Sequence, residues 1–298
     1  MEETHDSIIH CIDRNSREFP EKLKNIPNSP KCIYYTGRLP EDRSPTIAIV
    51  GARMCSTYGR IQAFEFAQFL SRSGVQVISG LARGIDSEAH KGALEGDTPT
   101  FAVLGSGVDV CYPAGSRSLY QRILKNAGGI ISEYPPGTQA LPMFFPARNR
   151  IISGLADVVL VVEARERSGS LITANYALEQ GKSVYALPGA VNDALSQGCH
   201  RLIYDGAGIA YCPEILLGEW GISKKNNKKT QEKNKIRLAS DMKLVYSCLD
   251  LRPKNLDEII RKTGFTPGKT SSLLMELKLL GLAAEVGRQN YVAINEYD

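Results

Sequence analysis

A chain of 298 residues with 43% hydrophobic side chains is long enough for one sizeable core and a smaller second unit. No run of 18 apolar residues occurs and the first residues are acidic, so the sequence predicts neither a membrane span nor a secretory signal and favours a cytoplasmic protein. Its seven cysteines are odd in number and form no CxxC pair, which favours reduced thiols over a disulfide framework.

The net charge of +4 is unevenly distributed along the chain. Residues 221–237, GISKKNNKKTQEKNKIR, contain six lysines and one arginine against one glutamate, or +6, which leaves −2 for the rest. The folded parts therefore have no global basic field that would attract nucleic acid. Any such binding by them must come from local clusters of arginine.

In chain order, the predicted elements begin with an extended, proline-rich lead-in, residues 1–45, which is too short for a separate domain. Residues 46–217 alternate between helical segments, such as SLITANYALEQG, and short apolar runs that predict strands: TIAIVG (46–51), VQVISG (75–80), TFAVLG (100–105), GGIISE (128–133), DVVLVVE (157–163) and KSVYALPG (182–189). Continuous apolar strands indicate a parallel sheet covered on both faces. The predicted fold class is α/β, a Rossmann-like doubly wound parallel sheet.

After a predicted basic, solvated linker, residues 218–237, the pattern changes. Residues 238–298 predict a small C-terminal winged-helix domain, with the helices DMKLVYSCLDL, LDEIIRKTG and TSSLLMELKLLG and the hairpin LAAEVGRQNYVAI. This domain has eight basic and eight acidic side chains, and its third helix carries only Lys278 against Glu276. A protein contact or a regulatory role is therefore favoured over independent recognition of a duplex.

Parallel sheets bind ligands at the carboxyl ends of their strands. The loop GARMCSTYG after the first strand lacks the GxGxxG pattern, and the second strand ends without the acidic residue that holds a ribose hydroxyl, so no nicotinamide or flavin cofactor is expected. Glycines, hydroxyls and guanidinium groups occupy these loops instead, which predicts a phosphate-binding surface. Its candidate residues are Gly51, Arg53, Arg83, Ser168, Gly169, Ser170 and Thr173.

The segment FFPARNR, residues 144–150, places two aromatics and an Arg-Asn-Arg triplet before an apolar run. A base can stack on Phe145 while Arg148, Asn149 and Arg150 contact phosphate and sugar, which suits a single strand better than a duplex. In the alternative interpretation, one phenylalanine packs against the following helix and one arginine pairs with an acid such as Glu133 or Glu163. We expect at least Arg148 or Arg150 to face the ligand.

The sequence shows no catalytic constellation. His90 lies on a predicted helix beside Asp86 and Glu88, without a second histidine nearby to complete a triad or a metal site, so a helix-packing role is favoured. GxSxG, HExxH and a P-loop lysine are also absent from the sequence. We expect a binding protein that is not an enzyme and has no metal site and no cofactor.

An ordered series of motifs resembles the DNA-processing protein A (DprA/Smf) family over about residues 20–217: SGLARGIDSEAHKGAL, TFAVLGSGVDVCYPAGSRSLY and FPARNRIISGLADVVLVVEARERSGSLITANYAL. The C-terminal region resembles the winged-helix module of many members. The resemblance implies a bacterial, cytoplasmic homodimer that binds single-stranded DNA. It also implies that the protein protects incoming strands in natural transformation and loads RecA recombinase, without chemistry on the DNA.

By motif, the resemblance assigns Arg53 to DNA contact and Phe145, Arg148 and Asn149 to the binding pocket. One position departs from the family pattern, because members place a lysine shortly before the aromatic where this chain has Gln139-Ala140-Leu141-Pro142-Met143.

Two other functions remain open. The same phosphate loops could hold a mononucleotide in a Rossmann-like nucleotide phosphoribohydrolase; the stretch SGSLITANYALE lacks the tandem glycines of the PGGxGTxxE signature but keeps Glu179 as a possible acid. Alternatively, the protein could be a regulator that recognises DNA through the winged helix. The balanced charge of that domain argues against this function.

Overall fold

The computed structural model describes residues 8–222, 239–250 and 253–294, and the chain divides into two compact units, residues 1–223 and 224–298. The strands of the first unit are β1 (His10–Asp13), β2 (Cys32–Gly37), β3 (Thr46–Val50), β4 (Gln76–Ser79), β5 (Thr100–Leu104), β6 (Gly129–Ser132), β7 (Val158–Val161), β8 (Ser183–Ala186) and β9 (Gly208–Ile209). Its helices are α1 (Glu21–Lys24), α2 (Thr57–Arg72), α3 (Ile85–Leu94), α4 (Arg117–Lys125), α5 (Phe144–Leu155), α6 (Gly169–Glu179), α7 (Gln197–Tyr204) and α8 (Glu214–Leu217).

The nine strands form one sheet in the order β1-β2-β6-β5-β4-β3-β7-β8-β9. Strands β3 to β9 are parallel, whereas β2 joins β6, and β1 joins β2, in antiparallel pairs. The predicted Rossmann-like α/β class is confirmed, and all six predicted strands are present. Because the strand order reverses between β3 and β7, a crevice opens at their carboxyl ends.

Both faces of the sheet are covered by helices. Along β3, Ala48 and Val50 pack in the apolar cluster that contains α5 and α6, whereas Ile47 and Ile49 pack in the cluster that contains α2 and α3. All four side chains are almost completely buried. This two-sided burial is the reason why the parallel strands are continuously apolar and could be found from sequence.

Strands β1 and β2 lie in the segment that was predicted to be an extended lead-in. Strand β1 has four residues and buries only Ile12, and β2 buries Ile33 and Thr36 among half-buried neighbours, so neither shows a continuous buried apolar run or a clear period-2 pattern. The sequence analysis also did not predict β9, which has only two residues.

The side chain of Asp157, at the start of β7, fastens both ends of this unit. Its carboxylate accepts hydrogen bonds from Lys22 Nζ at 2.9 Å and from Trp220 Nε1 at 3.1 Å. Trp220 belongs to a single 3-10 turn, Gly218–Trp220, in the first part of the predicted linker. The remainder of that linker, residues 223–237, lies outside the described residues.

The second unit consists of α9 (Ser240–Ser247), β10 (Lys254–Asn255), α10 (Leu256–Thr263), α11 (Pro267–Leu279), β11 (Ala283–Glu285) and β12 (Asn290–Ala293). The three strands pair antiparallel in the order β10-β12-β11. The predicted winged helix is thus confirmed. Helix α11 begins three residues earlier than predicted, because Thr266 caps it by accepting from Lys269 N at 3.4 Å and Pro267 occupies the first helical position.

Close packing of α2 against α3 depends on Gly92. A Cβ atom at this position would lie 2.1 Å from the Phe64 carbonyl oxygen. We therefore expect Gly92→Ala to lower the free energy of unfolding by about 1–3 kcal/mol in urea titrations. Gly115→Ala is the matched control, since a Cβ atom there would meet nothing within 4 Å. Equal stability of the two variants would contradict this account of the helix contact.

Candidate nucleic-acid interface

A pocket of about 480 Å³ lies where the strand order reverses. Its walls come from the loop after β3, from α5 and from the start of α6. The glycine, polar and aromatic residues of this lining are Gly51, Arg53, Asp86, Tyr112, Phe145, Arg148, Asn149, Ser168, Gly169, Ser170 and Thr173. We call this set of residues the switch-point pocket.

Helix α6 directs its N-terminus at the switch-point pocket. Ser168 caps the helix by accepting from Ser170 N at 3.4 Å, and the two hydroxyl oxygens lie 2.8 Å apart. Asn149 holds the turn from α5, where its Nδ2 donates to Gly169 O at 3.1 Å. Thr173 Oγ1 is buried and has no hydrogen-bond partner among the described residues. Free N–H groups and hydroxyls at a helix N-terminus favour an anion.

The N-terminus of α2, by contrast, is already occupied by a carboxylate. Glu163 accepts from Ser56 N at 2.9 Å and from the Ser56 hydroxyl, and Gly59 leaves room for its carboxyl group. Burial raises the pKa of Glu163, while the two donors of Ser56 oppose that shift. Dinucleotide-binding Rossmann folds place a pyrophosphate at this first helix, and here Glu163 fills the place.

Arg53 and Phe145 form a cation–π pair at the opening of the pocket. The Arg53 guanidinium carbon lies 5.1 Å from the ring centroid of Phe145, and the arginine is exposed. Phe144 turns away and stacks on Tyr134, with ring centroids 4.1 Å apart, and it is not part of the lining. Of the two aromatics in FFPARNR, one therefore lines the pocket and the other packs on Tyr134, which precedes α5, and not on the following helix as the alternative interpretation had it.

Arg148 forms the buried floor of the pocket. Its Nη1 donates to the Val103 carbonyl oxygen, its Nε has no partner among the described residues, and only 5% of the residue is exposed. Asp86 lies beside it and accepts from Gly80 N at 3.1 Å. Burial lowers the pKa of Arg148 to about 10, against the opposing effect of the Asp86 carboxylate. Arg148 therefore remains charged at neutral pH.

Arg150 does not line the pocket. Its Nη2 lies 2.6 Å from Glu133 Oε1, and its Nε donates to Asn28 O at 3.0 Å, so the guanidinium ties α5 to neighbouring segments. Arg83 is exposed on the loop after β4 but is also absent from the lining. The structure brings the other nine predicted residues together, with Gly51 packed so closely that a Cβ atom would lie 2.7 Å from Ile85 Cγ1.

Two groups of residues at this edge of the sheet were missed in the sequence analysis. Tyr112 lines the pocket from the loop after β5, and the rule that loops follow the carboxyl ends of strands could have found it. Arg117 at the start of α4, and Arg165 and Arg167 on the loop after β7, are exposed, and within the described ranges they form no ion pair. Nothing in the local sequence distinguishes these arginines from ordinary surface cations.

His90 on α3 is buried next to this floor. The Thr100 hydroxyl donates to Val77 O, so it accepts from His90 Nδ1, both at 2.8 Å. Nε2 then lacks a partner among the residues that the structure describes. Burial lowers the pKa of His90 to about 3, with a smaller contribution from the charge of Arg148. The imidazole is neutral at pH 7.

Folding stability should depend on pH through His90. Its folded-state pKa lies below the unfolded value of about 6.5, so its stabilisation is present above pH 6.5 and is lost as the pH falls toward 3. Between pH 7.5 and pH 5 this loss is about 2 kcal/mol. Urea unfolding at both pH values should show that His90→Gln loses about 2 kcal/mol less than the wild type. The same pH dependence in both proteins would rule out a neutral buried imidazole.

These features define a class: a Rossmann-like protein with a winged-helix unit and a polar pocket at the switch point of its sheet. The family model "DNA recombination-mediator protein A" matches residues 10–221, and "DprA winged helix domain" matches residues 229–287. The chain therefore belongs to the DNA recombination-mediator protein A (DprA/Smf) family, and the resemblance inferred from its motifs is confirmed.

Among its relatives, DNA processing protein DprA of Streptococcus pneumoniae is 44% identical over 202 residues, which cover 68% of this chain and 71% of that protein. Protein Smf of Synechocystis is 33% identical over 326 aligned positions, which cover 98% of this chain and 82% of that protein.

Two solved structures share the fold. The X-ray structure of S. pneumoniae DprA has a TM-score of 0.68 at 40% identity and covers 72% of this chain and 75% of its own. DNA processing protein A from Helicobacter pylori, described with a unique single-stranded DNA binding mode, has a TM-score of 0.64 at 25% identity and covers 72% of this chain and 96% of its own.

Proposed function

We propose that this protein binds single-stranded DNA in the switch-point pocket and acts as a recombination mediator without chemistry on the DNA. The observation that carries the proposal is the pairing of Arg53 with Phe145 opposite the capped N-terminus of α6. A guanidinium held against an aromatic ring is fixed in place for a phosphate, and a helix N-terminus suits a second phosphate. The H. pylori relative, described as binding single-stranded DNA, supports the same ligand.

The shape of the pocket favours an unpaired strand. Its volume lies in the range of about 300–1,000 Å³ that is usual for small-ligand sites, which is room for a nucleotide unit but not for a duplex. The aromatic side chains can stack only on a base whose face is free, and bases within a duplex are covered by their neighbours.

Unpaired arginines around the pocket support binding to phosphates. Five exposed guanidinium groups lie on the loops after β3, β4 and β7 and at the start of α4, and among the described residues they form no ion pair: Arg53, Arg83, Arg117, Arg165 and Arg167. Cations without protein partners are free to neutralise a nucleic-acid backbone. Because the folded parts carry little net charge, their binding to nucleic acid must come from local clusters of arginine, and this group of arginines is such a cluster.

The carboxylates near the pocket are poorly placed for hydrolysis. Asp86 is the acidic residue of the described lining, and it is buried beside Arg148 and bonded to Gly80 N. Glu163 caps α2. Glu179, the candidate acid of a phosphoribohydrolase, lies at the opposite end of α6 and outside the lining, about 15 Å along the helix from Gly169 and about 9 Å from Thr173 at 1.5 Å per residue. This geometry disfavours the nucleotide-hydrolase alternative.

The second unit is disfavoured as the main DNA-binding part. Residues 238–298 have no net charge, and the ammonium group of Lys278 on α11 is 2.8 Å from Glu285. Met275 and Leu279 on the same helix are exposed. We propose that this face of the winged helix contacts a protein, since apolar side chains without free cations suit a protein surface better than phosphates.

The biological role that we propose follows from membership of the family. A mediator of this kind would protect incoming single strands during natural transformation and load RecA recombinase onto them. Both steps need a protein that covers the strand without cutting it, and both take place in the cytoplasm. The name of the matching family, DNA recombination-mediator protein A, supports the mediator part of this role.

A homodimer through the Rossmann-like unit is also part of the proposal. Strand β9 is the last strand of the sheet, so its outer edge has no partner strand among the described residues. Exposed apolar side chains surround this edge, with Ile209 47%, Tyr211 72% and Tyr204 84% exposed. An open edge with exposed apolar groups is a surface that natural proteins cover, and a second copy of this chain would cover it.

DNA binding tests the pocket directly. Arg53→Ala should weaken binding of oligo-dT about tenfold at low salt and reduce the salt slope by about 0.7, because one phosphate contact is lost. Arg150→Ala should instead lower the melting temperature, because its ion pair with Glu133 is structural. Fluorescence anisotropy with oligo-dT and with a duplex of equal length, at two salt concentrations, measures these effects.

Arg122→Ala is the control for this experiment. Arg122 lies in the last turn of α4 and is exposed, but it is paired with Glu95. Unchanged oligo-dT affinity in Arg53→Ala would remove the switch-point pocket as the binding site. Turnover of nucleoside monophosphates by the wild type would restore the hydrolase alternative.

The dimer is tested by light scattering after size-exclusion chromatography. Ile209→Asp and Tyr211→Asp should each convert the dimer to a monomer, because a charge would be buried without a partner in the interface. Val191→Asp, at an 88% exposed position elsewhere on the surface, should leave the mass unchanged. A wild-type protein that is a monomer would reject this interface. So would an Ile209→Asp or Tyr211→Asp protein that remains a dimer.

A further inference from the structure

Tyr112 is the most exposed aromatic side chain of the switch-point pocket. It is 47% exposed, whereas Phe145 is only partly exposed. The two ring centroids lie 5.4 Å apart with planes inclined by 31°. Tyr112 therefore offers a free aromatic face in direct contact with the residue to which base stacking was first assigned.

Phe145 itself has little free ring surface. The Arg53 guanidinium lies over it, Tyr112 contacts it, and a Cβ atom at Gly105 would lie 3.0 Å from its Cδ1. A base could stack on Phe145 only after one of these groups moved. The geometry makes Phe145 a support that fixes Arg53 and Tyr112.

The loop that carries Tyr112, residues 105–116, is held in place from several sides. Ser106 Oγ donates to Val110 O at 2.8 Å, Tyr120 Oη donates to Val108 O at 2.7 Å, and Gly107 N donates to Thr138 O at 2.8 Å. A preorganised ring loses little conformational entropy on binding, so its stacking energy is retained as affinity.

The surroundings of Tyr112 suit a base better than a phosphate. Pro142 and Pro146, both exposed, line the same pocket as Tyr112, and so does Ile172. Exposed apolar groups beside an aromatic ring offer contact area to an unstacked base. They offer nothing to an anion.

We propose that Tyr112 is a base-binding residue of this protein, on which one unpaired base of the bound strand stacks while Phe145 supports the ring from behind. This inference rests on the proposed function and deepens it. It identifies the ligand as a strand that presents free base faces, and predicts little dependence on base identity, because every base has a π-face.

The test removes the side chain and the base, separately and together, and compares the resulting changes in affinity. Wild type, Tyr112→Ala and Tyr112→Phe are titrated by fluorescence anisotropy with oligo-dT and with an abasic deoxyribose-phosphate strand of equal length. Tyr112→Ala should weaken oligo-dT binding about five- to a hundredfold and leave abasic binding unchanged. Tyr112→Phe should keep oligo-dT affinity within about twofold, since the ring remains.

A merely supporting role for Tyr112 predicts different results. Tyr112→Ala would then weaken both strands equally, and it would add no loss in a Phe145→Ala background, where the supported ring is already gone. Our proposal requires a further loss for oligo-dT in the double variant and no further loss for the abasic strand. Melting curves of each variant show that it is folded.

The outcomes also separate this inference from the proposed function. Wild-type protein that fails to bind oligo-dT overturns both. Wild-type protein that binds oligo-dT and loses affinity on Arg53→Ala, but not on Tyr112→Ala, leaves single-strand binding intact and overturns only the role of Tyr112.

Discussion

The buried guanidinium of Arg148 is the interaction on which the geometry of the pocket depends. One side chain from α5 reaches under the carboxyl ends of two strands, donates to Val103 O at the end of β5 and lies against Gly80 at the end of β4. A Cβ atom at Gly80 would lie 2.1 Å from Arg148 Nη1, so the guanidinium could not keep this position beside a larger residue. The nearby Asp86 carboxylate favours the charged form of the buried guanidinium. The floor therefore fixes α5, and with α5 the position of Phe145 and Asn149.

The two helix N-termini at the switch point differ in whether a carboxylate of the protein already occupies them. Glu163 fills the first, at α2, and so removes the place that dinucleotide-binding relatives of this fold use for pyrophosphate. The second, at α6, keeps the Ser168 cap and the Thr173 hydroxyl, which lines the pocket and has no hydrogen-bond partner in the part of the chain that the structure describes. One intramolecular carboxylate thus decides which helix can meet an anion. The same fold can serve different ligands because such local choices, and not the sheet, define the site.

The positive charge beside the switch-point pocket comes from a local group of arginines and not from the net charge of the first unit. The first unit has no strong net field, yet at the carboxyl edge of its sheet five arginines are exposed without ion pairs among the described residues. Arg150, Arg122 and Arg201 pair with neighbouring acids, whereas other exposed arginines of the unit, such as Arg14, Arg38 and Arg72, also form no ion pair among the described residues. The arginines at the carboxyl edge are therefore distinguished by their position beside the switch-point pocket, where a polyanion would meet several of them together.

Sequence alone determined the elements and the family. Two-sided burial makes a parallel strand continuously apolar, so the six central strands, the fold class and the edge that carries the loops followed from local patterns and from ordered motifs. Strands β1 and β2, in which only Ile12, Ile33 and Thr36 are fully buried, gave too weak a pattern. Only the tertiary structure decided that Arg148 points inward, that Arg150 pairs with Glu133, that Glu163 closes α2, and that Tyr112 faces the pocket. The partners of these side chains lie 17 to 107 residues away in the chain, and a long side chain takes its direction from such distant neighbours, whose positions exist only once the sheet has formed.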